Sequence, residues 1–187
     1  MKKLLLVAVM VLTSAISFAQ QKEGTLTIQP KVGLNIASLT DFDDSDPRFG
    51  VVAGAEFMYQ ATDMVGLSFG ALYSMQGAKY DKATTKLDYI NVPILANVYV
   101  APGFAVKLGL QPGFNVNSKA KAKSNGVAVE ADFDAKTVDL SIPIGLSYEF
   151  SNFVIDGRYN WGLTKVAKDS DSKNSVFQIT LGYKLPL

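Results

Sequence analysis

Asp156 and Arg158 stand two residues apart in the stretch IDGRYNW, a spacing that puts an acid and a cation on one side of an extended chain. Such a pair could polarise a substrate, yet the chain holds no histidine and no cysteine. General acid–base work near neutral pH most often uses histidine, and thiol nucleophiles need cysteine. The pair also belongs to a larger set. Lys31, Arg48, Lys107, Arg158 and Lys184 are matched by Glu56, Asp88, Asp139, Glu149 and Asp156, five of each sign. Charges taken out of water must pair, so this balanced set reads as an ion-pair network inside a closed barrel. The expectation is a protein that is not an enzyme and carries no catalytic residue and no cofactor.

Two loop-like stretches offer other chemistry. DFDDSDP places Asp41, Asp43, Asp44 and Asp46 within six residues, and oxygen-rich loops can take calcium. Counted as an EF-hand loop, however, its sixth position is Asp46 rather than glycine and its twelfth is Val52 rather than glutamate. A solvated acidic loop without metal is the favoured reading. NSKAKAKSNGVAVEADFDAK holds Asn125-Gly126 between two alternating runs, a type I′ hairpin signal. Counting outward, Lys121 faces Glu130 and Lys119 faces Asp132, opposite charges across strands. Lys119, Lys121, Lys123, Asn125, Gly126, Glu130 and Asp132 therefore form a candidate partner-binding hairpin. A two-residue turn pairs odd with even positions, whereas the segments around it need odd with odd. A bulge or a break must intervene, or the turn is not two residues.

These residues ride on a period of two. In the closing stretch, Phe177, Ile179, Leu181, Tyr183, Leu185 and Leu187 take one face and Gln178, Thr180, Gly182 and Lys184 the other. The same pattern recurs over about 26–37, 48–59, 64–76, 87–100, 103–116, 136–150 and 152–165, giving eight strands. Short connections at 60–63, 101–103 and 151–152 alternate with long polar ones at 38–47, 77–86, 117–135 and 166–174. Short turns at one end and long loops at the other mark transmembrane barrels. The expected fold is all-β, an eight-stranded antiparallel up-and-down transmembrane β-barrel.

The chain opens MKKLLLVAVMVLTSAISFAQ, with two lysines, an apolar run from Leu4 to Leu12, and small residues at Ser17 and Ala19. That is a secretory signal peptide over 1–19, leaving 20–187 as the barrel domain. The apolar run falls short of the about 20 residues that span a bilayer. Two of the 18 basic residues lie in the leader, so 16 face 17 acids in the remainder, a net charge of −1. Nucleic acid, which wants a clustered basic surface, is excluded.

Alternation by itself also suits a soluble lipocalin-like carrier with its apolar face inward. The apolar face here carries too many large groups for an eight-stranded interior, and the charges crowd the other face. Aromatics gather near strand ends in two belts, Tyr59, Phe104, Tyr148, Phe150, Phe153 and Tyr183 by the short turns and Phe49, Tyr73, Phe114, Trp161 and Phe177 by the long loops. The apolar face is thus read as lipid-facing, and an eight-stranded lumen filled by side chains leaves no open pore.

KVGLNIASL, FGALYSMQG, LDYINVPILANVYV, IDGRYNWGLTKV and FQITLGYKLPL carry a family likeness, specific in combination and weak singly. On them the chain resembles the small outer-membrane β-barrel domain family often called PorT-like. The resemblance implies an integral barrel of a Gram-negative outer membrane, with roles that differ among members; the secretion role belongs to only some. The terminal Leu187 departs from the aromatic on which such barrels often end. The expected function is adhesion, partner binding or envelope integrity through extracellular hairpins, with a subunit of a protein-secretion machine as the alternative. The expected partners are outer-membrane lipid, the barrel-assembly machinery during biogenesis and an extracellular or envelope protein, the barrel itself being a monomer.

Overall fold

The computed structural model describes residues 22–40, 46–80, 83–124, 127–132, 135–167 and 171–187. The leader expected at 1–19, Asp41, Asp43, Asp44, Asn125 and Gly126 lie outside them. Within them run β1 (Leu26–Leu39), β2 (Asp46–Gln60), β3 (Val65–Tyr80), β4 (Ala83–Asn91), β5 (Ile94–Ala101), β6 (Phe104–Ser124) and β7 (Val127–Asp132). β8 (Val138–Phe150), β9 (Phe153–Lys165), β10 (Lys173–Tyr183) and β11 (Leu185–Pro186) complete the chain.

Each strand pairs antiparallel with its neighbour, and β10 returns to β1 with Lys31 opposite Gly182 and Leu39 opposite Asn174. The sheet therefore closes into a barrel of eight staves and leaves neither β1 nor β10 an open edge. The fourth stave, expected unbroken over 87–100, is β4 and β5 separated at Pro93, which has no N–H to give a ladder. Hydrogen bonds from Gly70 N to Pro93 O (3.2 Å) and from Val92 N to Pro112 O (2.8 Å) carry the stave across the break. At the short-turn end Gly103 and Ser151 take positive φ, 72° and 53°, where the chain reverses tightly.

The wall is inside out relative to a soluble protein. Leu34, Phe49 and Trp161 are 58%, 68% and 55% exposed, while Gln29, Glu56, Arg158 and Gln178 are buried. Leaving one large apolar side chain in water forgoes about 1.5–3 kcal/mol, and every stave presents several. Hydrocarbon is the solvent such a wall fits, and the inward-apolar carrier is ruled out.

One connection expected as a loop is largely sheet: β3 runs on to Tyr80 and β4 starts at Ala83, within 77–86. The hairpin expected within 117–135 is present, as the upper part of β6, to Ser124, paired with β7. Lysine, threonine and alanine in 77–86 suggest a loop because both faces of that extension leave the apolar band. The parity conflict has a physical resolution. β6 pairs Asn115 with Tyr89 and then Asn117 with Asp88, so Val116 is an extra residue, a β-bulge. Above it Lys121 faces Glu130 and Lys119 faces Asp132 on β7, and below it Gln111 faces Ser141 on β8.

Candidate functional site

Inward-facing positions of four staves meet at the middle of the lumen. Lys31 Nζ donates to Glu56 Oε2 at 2.6 Å and lies 3.4 Å from Asp156 Oδ2. Lys107 Nζ reaches Asp156 Oδ2 at 2.5 Å. Arg158 spans both acids, with Nη1 at 2.9 Å from Glu56 Oε1 and Nε and Nη2 each 2.9 Å from Asp156. The i, i+2 spacing of Asp156 and Arg158 on β9 puts them on one face, as strand geometry requires. All five side chains are buried. Asp156 accepts from three cations, so it is committed to structure and is poorly placed as a general base.

The remaining charges form separate groups. Toward the short turns Lys184 Nζ donates to Glu149 Oε2 at 2.7 Å, and Tyr99 OH donates to Glu149 Oε1 at 2.7 Å. Toward the long loops Asp139 accepts from Thr164 Oγ1 at 2.6 Å. Arg48 Nη1 hydrogen-bonds the Gln76 carbonyl and stands 3.7 Å from Asp88 Oδ1. The expectation of one lumenal network is corrected at Asp88. Leu87 and Tyr89 turn inward, so Asp88 between them lies on the opposite face, opposite Met75 and Asn117 and bonded by the outward Tyr73 hydroxyl at 3.1 Å. The ten charges divide into these groups along the barrel.

Alternation hides a further layer. Leu39, Ala78, Leu87, Tyr89 and Val166 pack together beneath the long loops, with Ala135 against them. Leu39 and Leu87 are apolar residues at inward parity, the signal that could have shown an apolar cap. Below it lies a band of amides and hydroxyls. Asn35 donates to Ser74 Oγ at 2.9 Å, Gln111 to Ser141 Oγ at 3.3 Å, and Asn174 to the Tyr89 hydroxyl at 3.2 Å. Met58, Tyr99 and Ala105 form a second apolar patch near the short turns. Cap, amide band, charge cluster and lower patch fill the lumen in succession.

The candidate hairpin stands on the long-loop end. Lys119 and Lys121 face Asp132 and Glu130, and Lys123 sits opposite Ala128 in the ladder. Lys86 of β4, not foreseen as part of this surface, donates to Glu130 Oε1 at 2.9 Å. That bond and the Lys86 charge hold the Glu130 carboxyl below its usual range. Among the described residues no group of three acids could hold a metal, and Asp46, the one described member of the acidic run, pairs in the ladder with Lys79.

A closed antiparallel barrel of eight staves, apolar outside and ion-paired inside, defines a transmembrane barrel of the outer-membrane type. The family model for the outer membrane protein beta-barrel domain matches residues 18–168, and the chain belongs to that family. It resides in the outer membrane. Ail, the attachment invasion locus protein of Yersinia pestis, has a similar structure at 18% identity and TM-score 0.54, covering 87% of this chain and 99% of that one. Neisserial surface protein A is similar at 18% identity and TM-score 0.56, covering 87% and 100%. At that identity the likeness is one of fold. No curated protein matches the chain.

Proposed function

We propose that this barrel is a non-catalytic surface protein of the PorT-like kind. Its long-loop end faces the exterior, its lumen is closed, and its sheet extension takes a partner in adhesion or envelope integrity. The observation that carries this reading is the extension itself. β6 and β7 rise past the apolar band as ordered sheet, and among the described residues β7 pairs with β6 alone. A strand paired on one side offers a row of backbone donors and acceptors that a partner strand can use. The attachment role in the name of the Yersinia barrel is that protein's own; attachment here rests on the extension.

The barrel is a monomer set in outer-membrane lipid and delivered by the assembly machinery after removal of residues 1–19. A cross-linking pull-down from intact cells tests the reading. The wild-type chain should capture a surface or envelope protein, and a chain whose residues 119–132 are replaced by a two-residue turn should lose it. Equal capture by both would overturn it. Capture of envelope secretion components instead of a surface ligand would favour the secretion-subunit alternative.

A further inference from the structure

The bulge at Val116 changes which way the lysines of β6 point. Below it the odd-numbered side chains are inward: Lys107 and Gln111 are buried, while Leu108, Leu110 and Phe114 are exposed on the wall. An unbroken alternation would keep Lys119 and Lys121 over the barrel axis. The extra residue turns them outward instead. Lys119 stands opposite Lys86, Lys121 opposite Thr84, and Thr84 opposite Lys79. Residues directly opposite in an antiparallel ladder share a face, and the Lys86–Glu130 ion pair joins β4 to β7 on that face. The charges of Lys119 and Lys121 also bear on the Glu130 carboxyl.

Three adjacent strands, β3, β4 and β6, therefore carry Lys79, Lys86, Lys119 and Lys121 on one outer surface. At the level of the lysines the acids stand at the margins, Asp46 on β2 and Glu130 and Asp132 on β7. Asp88, two residues below Lys86 on β4, is taken up by the Tyr73 hydroxyl, the Asn117 amide and Arg48. Lys86 directly opposite Lys119 is a like-charge placement that weakens a sheet in isolation. An anion held between them reverses its sign. The face continues downward into the apolar wall, where Tyr73, Ile90 and Phe114 are exposed. Four positions of β4 separate Ile90 from Lys86, about 13 Å of strand at roughly 3.3 Å per residue, and less once tilted. That height puts the ammonium groups in the headgroup layer beside the hydrocarbon, within reach of snorkelling side chains.

We propose that this lysine face seats the phosphate-bearing headgroups of outer-leaflet lipid. Its cations are spread over three strands at two successive ladder levels, Lys86 with Lys119 and Lys79 with Lys121. The levels lie about 7 Å apart along the strand, within the depth of a headgroup layer. The acids at those levels stand at the margins, which confines the seat to the centre. The assignment to the outer leaflet rests on the orientation proposed above; the contact with lipid phosphate does not.

Spin-labelled lipids report the test, with the full barrel folded in phosphatidylcholine vesicles. Labelled phosphatidic acid should associate with the wild type roughly three- to tenfold more strongly than labelled phosphatidylcholine, and molar salt should erase the preference. The triple variant K86Q/K119Q/K121Q should fall to near parity, K86R/K119R/K121R should keep the preference, and Lys165→Gln, at the end of β9 away from these strands, should leave it unchanged. No preference in the wild type overturns the proposal, as does an undiminished preference in the triple glutamine variant. Displacement of the lipid by millimolar inorganic phosphate also overturns it, since it marks a free-phosphate site. Should the glutamine variant not fold, the salt dependence and the arginine variant still decide. Both leaflets of a vesicle carry the label, so failure here is distinct from failure of the orientation or of partner capture.

Discussion

Arg158 Nη1 lies 2.9 Å from Glu56 Oε1, a tie from β9 to β2 that reaches past β10 and β1, which lie between them in the wall. The same guanidinium holds Asp156 through Nε and Nη2. One side chain thus braces the closing seam from inside, on the two staves that flank it.

Arg158→Met should destabilise the barrel by about 3–5 kcal/mol, because Glu56 and part of Asp156 are left as buried charges short of a partner. The double variant R158M/E56Q should cost less than the sum of its singles, with a coupling of about 0.5–3 kcal/mol. Urea unfolding of the barrel in lipid vesicles measures both. Strict additivity would show that the two residues do not act together.

Gly33 should tolerate no larger side chain. A Cβ built on it would lie 2.0 Å from the Ile179 carbonyl oxygen, on the strand that closes the barrel. Gly33→Val should cost about 3 kcal/mol or more, at the upper end of overpacking. Its signature is loss of the compact, heat-modifiable band on a gel. Gly157→Ala, where an added Cβ meets nothing within 4 Å, should fold normally.

Glu130 titrates with a definite sign. The hydrogen bond and charge of Lys86 depress its carboxyl below the ordinary 4.5. A depressed carboxylate stabilises the folded extension above its unfolded value and loses that contribution as pH falls through the lowered one. The tie should therefore be constant through neutral pH and fade only in acid. In Lys86→Gln the Glu130 carboxyl, followed by NMR in micelles, should titrate higher. An unchanged midpoint would contradict the contact.

Planar-bilayer recordings should show no large, stable conductance for the wild type. The lumen is filled in turn by the cap around Leu39, Leu87 and Tyr89, the amide band and the Lys31–Glu56–Asp156–Arg158 cluster. An open, ohmic channel would show that these layers do not seal it.

The barrel was legible because alternation survives in every stave, and because Lys31, Glu56, Lys107, Asp156 and Arg158 occur where an apolar face is absent. What alternation could not show is grouping. Arg48 and Asp88 read like the other charges, yet Asp88 lies between inward Leu87 and inward Tyr89 and so belongs to the other face. Nor could it show where polar sheet ends, since outside the lipid neither face must be apolar and 77–86 resembles any loop. The parity of Lys121 against Glu130 required an irregularity somewhere; only the ladder shift at Val116 located it.

The pairing of Lys31 with Gly182 also sets an order of events. β1 is made first and its partner last, almost the whole chain apart in sequence, so the join cannot form while the chain is still being delivered. Until β10 arrives, the nascent sheet has two unsatisfied edges and must be sheltered from other chains. Contacts so distant in sequence are slow to form, and the central tie from Arg158 to Glu56 spans that same late gap. Commitment to the native state should accordingly come in one final step, when the last strand docks and the ion pairs lose water together. Refolding that is slow to start and then abrupt is the kinetic trace such a seam would leave.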